Sequence, residues 1–214
     1  RGPGHLRQVL AGADMEAIVV DAETDDDLLT LAHALPPDEQ HPVVCGSSGL
    51  AAAMAVARGR RRDSLHSSLD ACSRKALAVI GSRNPTTVAQ VRALAGDPGC
   101  TLLDIDAAAL CAPAHQDART RWCEVAAEAL MKGRTAVLTT SLSPLVVRYR
   151  GEVARRLGDL AAAVADRVDV GLFLLSGGAT AWAVCRRLSI EALSLLGERE
   201  QGVVVAEARG NTRS

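Results

Sequence analysis

Three short apolar runs end in Gly/Ser turns and then open into helix-like sequence. They are Val43-Val44-Cys45-Gly46-Ser47-Ser48-Gly49, Ala78-Val79-Ile80-Gly81-Ser82-Arg83-Asn84-Pro85-Thr86, and Leu172-Phe173-Leu174-Leu175-Ser176-Gly177-Gly178-Ala179-Thr180. A helix N-terminus leaves backbone N–H groups without partners, and small residues there let an anion come close. Parallel strands would gather such turns on one sheet edge, so phosphate handling is the first chemistry these residues suggest.

The Gly177-Gly178-Ala179-Thr180 turn is the leading candidate, with Thr180 able to cap a helix or donate to a phosphate oxygen. The same glycines also suit an ordinary strand-to-helix connection. In the second turn Ser82 offers a hydroxyl, Arg83 a fixed positive charge and Thr86 or Thr87 a cap, with Gln90 farther along the helix. A plain capped helix start would look alike. Gly46-Ser47-Ser48-Gly49 is the least specific.

Other chemistries find no support. The chain has no G-x-x-x-x-G-K-[ST] loop, protein-kinase signature set or G-x-S-x-G elbow, and no strand precedes Gly2-x-Gly4. His5, His33, His41, His66 and His115 are scattered and read as surface residues, Asp25-Asp26-Asp27 as a solvated helix start, and Trp122 and Trp182 as packing. No residue stands out as a catalytic base.

The positioning elements follow from pattern. Strands are expected at Ala17–Asp21, Val43–Cys45, Ala76–Ile80, Thr101–Asp104, Thr135–Thr140, Gly171–Leu175 and Ala192–Leu196. Helices are expected from Asp25, capped by Thr24, to Pro36-Pro37, and at Leu50–Ala57, Pro85–Ala95, Asp117–Met131, Leu145–Arg167 and Thr180–Leu188. This alternation predicts an α/β fold, a parallel-rich sheet with helices on both faces, preceded by a partial second α/β domain. A polar, basic stretch at 58–75 reads as a linker between residues 1–57 and 76–214, although contact with an acidic ligand is the other reading.

Composition narrows the classes. The 214 residues are 48% hydrophobic but only 2% aromatic, with net charge −1 and a pI near 6.6. That balance supplies neither a basic footprint nor stacking platforms for nucleic acid. The six cysteines form no C-x-x-C pair and read as small buried apolar residues in a reducing, cytoplasmic setting. No apolar run reaches membrane-spanning length.

Taken in order, Asp21-Ala22-Glu23-Thr24-Asp25-Asp26-Asp27-Leu28, Gly46-Ser47-Ser48-Gly49-Leu50-Ala51, Gly81-Ser82 with Pro85, Thr86 or Thr87 and Gln90, and Ser176-Gly177-Gly178-Ala179-Thr180-Ala181 resemble the four-carbon acid sugar kinase family, once catalogued as a domain of unknown function. The resemblance runs from about Ala17 to Gly202. It implies an N-terminal substrate-binding domain, of which residues 1–57 would be the C-terminal part, and a nucleotide-binding domain from about Ala76. It also implies ATP-dependent phosphorylation of threonate- or erythronate-type acids, with ATP and magnesium as cofactors. Ser82 matches the family's nucleotide-contacting serine, and Gly177, Gly178, Ala179 and Thr180 match its Gly-Gly-acidic-Thr turn. Ala179 departs from that pattern because it has no carboxylate.

The family's Asp-Asp-x-Thr-Gly stretch and its Lys/Gly-rich closing segment are not in this sequence. The chain is therefore expected to be truncated at both ends, with strand edges open to self-association. A non-catalytic nucleotide- or metabolite-binding remnant is the alternative to a kinase.

Overall fold

A computed structural model describes residues 2–13, 16–36, 43–60, 75–144, 149–200 and 202–210. The chain divides into two compact units, Arg1–Ser64 and Leu65–Ser214. Most of the expected linker, 61–74, lies outside the described residues.

The first unit is helical among its described residues: α1 (Pro3–Ala11), α2 (Asp25–Ala34) and α3 (Ser48–Ala57). Thr24 caps α2 through a reciprocal box. The Asp27 amide donates to Thr24 Oγ1 at 3.2 Å, while the Thr24 amide donates to Asp27 Oδ2 at 3.0 Å. Three acidic residues fill the first turn of α2, where its dipole is positive. At the other end Arg7 of α1 donates to the carbonyls of His33 and Ala34. Its charge therefore sits where carbonyls lack partners.

The strands expected at Ala17–Asp21 and Val43–Cys45 are not formed. No described residue pairs with either segment, so Val19 and Val43 stand 92% and 99% exposed. Among its described residues the N-terminal unit thus consists of helices and extended connections.

In the second unit, β1 (Ala76–Ile80), β2 (Cys100–Asp104), β3 (Thr135–Thr139) and β4 (Leu172–Ser176) form a parallel sheet in the order β2-β3-β1-β4. Side chains alternate between its faces. Leu77, Val79, Ala136 and Leu138 pack against α6 (Gln116–Met131), α7 (Arg150–Ala165) and α8 (Gly178–Arg187). Ala78, Ile80 and Val137 face α4 (Pro85–Leu94) through Val91 and Leu94. Burial on both faces explains why β1 and β3 read as continuous apolar runs. A short α5 (Ala107–Cys111), not expected from the pattern, follows β2 and is capped by Asp106, whose Oδ1 accepts from the Ala109 amide at 2.7 Å.

The strand expected at Ala192–Leu196 belongs to β5 (Ile190–Glu200). This strand pairs antiparallel with the unforeseen β6 (Val203–Gly210), in a hairpin separate from the parallel sheet.

Two glycines of α7 have opposite surroundings. A β-carbon on Gly158 would stand 2.8 Å from the Ala183 carbonyl oxygen of α8, whereas one on Gly151 would meet nothing within 4 Å. Gly158→Ala should therefore cost about 1–3 kcal/mol despite the better helix propensity of Ala. Gly151→Ala should be neutral or stabilising by up to about 1 kcal/mol. Denaturant unfolding of both variants checks the contrast, and equal effects would refute the packing argument.

Asp27 gives a pH prediction. Hydrogen bonds from the Thr24 hydroxyl, then from the Thr24 and Glu23 amides, hold its carboxyl below the usual range. A lowered folded pKa means the cap stabilises fully above the ordinary carboxylate value of about 4 and is lost as pH falls through the folded value. An NMR titration should place Asp27 below that ordinary value, and Thr24→Ala should move it back up.

Candidate functional site

The carboxyl ends of the four strands are level. Asp104 pairs with Thr139 across β2–β3, and Ile80 pairs with Thr139 on one side and Ser176 on the other. Each strand then exits into a loop of small or hydroxylic residues. Beyond β1 the chain turns into α4 on one face of the sheet, and beyond the adjacent β4 it turns into α8 on the opposite face. Loops that diverge in this way from neighbouring parallel strands open a crevice at the sheet edge, the usual ligand position in open α/β sheets.

The two loops are locked together at that crevice. The Ser176 carbonyl accepts from both the Gly81 amide at 3.1 Å and the Ser82 amide at 3.2 Å. Gly177 adopts φ +100°, where a side chain would be strained, and a β-carbon there would lie 3.2 Å from the Ser82 nitrogen. Thr180 is buried and seated against Gly81, so a β-carbon on Gly81 would fall 2.1 Å from its Oγ1.

The crevice amides are therefore unequal. Those of Gly81 and Ser82 are taken by Ser176. The first turn of α8 has no side-chain cap, and Gly177, Gly178 and Ala179 are exposed. First-turn N–H groups without a side-chain cap and the positive end of the α8 dipole would favour an anion on this side. Ser82 adds a half-buried hydroxyl, 3.3 Å from Thr87 Oγ1. At α4, Asn84 rather than a threonine is the cap, its Oδ1 accepting from the Thr86 amide at 2.9 Å. Gln90 is exposed on that helix.

The sequence reading missed the residues after β3. Thr139 Oγ1 donates to the Ile80 carbonyl at 3.0 Å, and Ser141 Oγ donates to the Ser82 carbonyl at 2.6 Å. Ser143 Oγ reaches the Ile105 carbonyl and Asp104 Oδ1. The signal was the hydroxyl-rich run Thr139-Thr140-Ser141-Leu142-Ser143 directly after a strand.

Other nominated residues lie elsewhere. The Gly46-to-Gly49 turn opens α3 in the first unit, so only two of the three Gly/Ser turns share the sheet edge. His5, His33 and His115 are exposed, with His115 preceding α6, while His41 and His66 fall outside the described residues. Cys111 and Cys123 are buried, and burial pushes both thiols up, as suits packing rather than nucleophilic attack. Cys45 is exposed, and Cys72 lies outside the described residues. Trp122 packs on the core as expected. Trp182 does not: it is 61% exposed on α8, with the Arg186 guanidinium 4.8 Å from its ring centre.

A family model for a nucleotide-binding C-terminal domain matches residues 77–213, the region that builds this crevice. The chain belongs to that family. Residues 1–54 match a second model, for a sugar-binding N-terminal domain. Matches to a nucleotide-binding and to a sugar-binding model thus lie in one chain. Among solved structures, a domain of unknown function (DUF1537) from Bordetella bronchiseptica, a domain-swapped dimer with bound citrate, is 26% identical with a TM-score of 0.53. The match covers 99% of this chain and 50% of that one. A Salmonella typhimurium LT2 protein described as a "putative tRNA synthase" is 21% identical with a TM-score of 0.64, covering 99% of this chain and 52% of that one. The latter likeness is one of fold alone. The chain spans about half the length of both. No curated protein matches it.

The nucleotide-binding domain's crevice yields a coupling test. Gly81→Ala should cost about 1–3 kcal/mol by displacing Thr180 and crowding Leu157. With Thr180→Ala in the background, the cost should fall by about 1 kcal/mol. Additive losses in a double-mutant cycle would contradict the Gly81–Thr180 contact.

Proposed function

We propose that this chain comprises the nucleotide-binding part and an accompanying sugar-binding segment of an ATP-dependent kinase of four-carbon sugar acids, of the threonate or erythronate type. The observation that carries the reading is the uncapped N-terminus of α8 at the β1/β4 crevice, in a domain of a nucleotide-binding family. Ser82, Gly177, Gly178, Ala179 and Thr180 are the proposed nucleotide contacts. Gly178 and Ala179 would offer amides to phosphate oxygens, Ser82 would offer its hydroxyl, and Gly177 and Thr180 would set the turn.

The sugar-binding match at residues 1–54 supports a small polyhydroxylated ligand, and the citrate on the Bordetella neighbour is likewise a small carboxylic acid. That neighbour's domain-swapped dimer supports self-association as the proposal for this chain. No helix among the described residues is long and apolar enough to cross a membrane. The cytoplasm is the proposed location.

Magnesium would supply charge neutralisation for phosphoryl transfer. The residues flanking the crevice, 81–87 and 176–180, include no carboxylate to hold it. Those two loops therefore offer the ion no carboxylate ligand. This same feature, Ala179 in the α8 turn, favours the second reading, a nucleotide-binding module without turnover.

Calorimetric titration with ATP, with and without magnesium, tests the site. A β-carbon on Gly178 meets nothing within 4 Å, so Gly178→Val should fold while its side chain blocks phosphate approach. The wild type should bind ATP and gain about 2.7 kcal/mol of stability at a hundred times the dissociation constant, and the variant should do neither. Phosphate transfer to threonate or erythronate would then separate the kinase from the non-catalytic module. Absence of both binding and stabilisation would refute the nucleotide reading.

A further inference from the structure

Arg83 carries a charge that a hydrogen bond holds in place and that has no counterion among the described residues. Its Nη1 donates to the Thr140 carbonyl at 2.9 Å, so the side chain leans from the end of β1 over the end of β3. The residue is exposed, and no carboxylate pairs with it among the described residues. A guanidinium has five N–H donors in a rigid fork, of which one bond here anchors the group and the rest remain available.

The amides of α8 lie on the other side of β1. Strands β3 and β4 flank β1, so Thr140 and Gly177 stand roughly two inter-strand spacings, about 10 Å, apart along the edge. Between them, the Thr180 hydroxyl lies against Gly81. That residue is only 4% exposed, but its hydroxyl makes no hydrogen bond among the described residues and is not a buried unsatisfied atom, so it keeps contact with solvent and can donate to a ligand. One phosphate group cannot touch both the α8 amides and the Arg83 fork, but a chain of phosphates laid along the edge can.

We propose that Arg83 reads the length of the phosphate chain. It binds the end of a nucleoside triphosphate distal to α8, whereas a monophosphate engages α8 alone. This selectivity rests on the nucleotide reading given above. It makes Arg83 a specificity-determining residue, acting through charge-assisted bonds to phosphate oxygens.

The test is calorimetric titration of the full chain with ATP, ADP and AMP, for the wild type and Arg83→Ala. Loss of one such contact should weaken ATP binding about tenfold or more and leave AMP within twofold of wild type. Arg83→Gln, which can still donate to the Thr140 carbonyl but has no charge, should behave like Arg83→Ala and serves if that variant does not fold. Equal losses for ATP and AMP, or no loss for either, overturn this proposal alone. A wild-type chain that binds none of the three overturns the nucleotide reading together with it.

Discussion

Helix α8 has to approach two other backbones closely, at Thr180 in its first turn and at Ala183 in its second, and glycine makes both approaches possible. Gly158 of α7 lets the Ala183 carbonyl come within the distance a side chain would occupy, and Gly81 at the end of β1 leaves room for Thr180. Ion pairing between Arg187 and Asp159, at 2.5 Å, joins the same two helices farther along. Partly exposed pairs of this kind contribute little. The glycine contacts therefore decide where α8 begins, and the positive end of its dipole falls beside the β1 loop as a result.

Sheet ends pose a satisfaction problem that the hydroxyl run after β3 solves. The Ile80 and Ser82 carbonyls stand where the β1 ladder stops, and buried carbonyls without donors would be costly. Thr139 donates to the Ile80 carbonyl and Ser141 to both, while Ser176 takes the two amides of the same loop. Every one of these bonds holds the Gly81–Ser82 loop from a neighbouring strand. The loop is thereby preorganised by β3 and β4, and Ser82 needs no ligand to fix its place.

What could be read from sequence follows the range of the interactions. Elements with a local signature were legible: β1 matches at both ends, and α2 carries the Thr24 cap expected of it. The pairing of the Gly81 and Gly177 turns was legible in outline because parallel strands send their exits to one edge. The lean of Arg83 onto Thr140 and the burial of Thr180 were not, since the first depends on a partner 57 residues away and the second on a tertiary contact with Gly81. Trp182 misled for a similar reason. Its spacing suited a core face, but Thr180, Ala183 and Val184 turn inward on α8 and place it outside.

The strand errors show the same rule from the other side. Ala17–Asp21 has the composition of a buried strand and forms none, while β5 is a strand although Leu195 is 73% exposed. Burial therefore does not decide between them; a nearby partner does. Between β5 and β6 only a tight connection intervenes, with Gly202 at φ +82° and its amide bonded to Glu198 Oε1, so closing the hairpin costs little loop entropy. Segment 17–21 has no such neighbour within its unit's described residues, and its apolar side chains alone cannot satisfy backbone N–H and C=O groups. A strand is thus fixed by the ladder it can reach, and apolar alternation specifies one only where sequence or topology brings that ladder near.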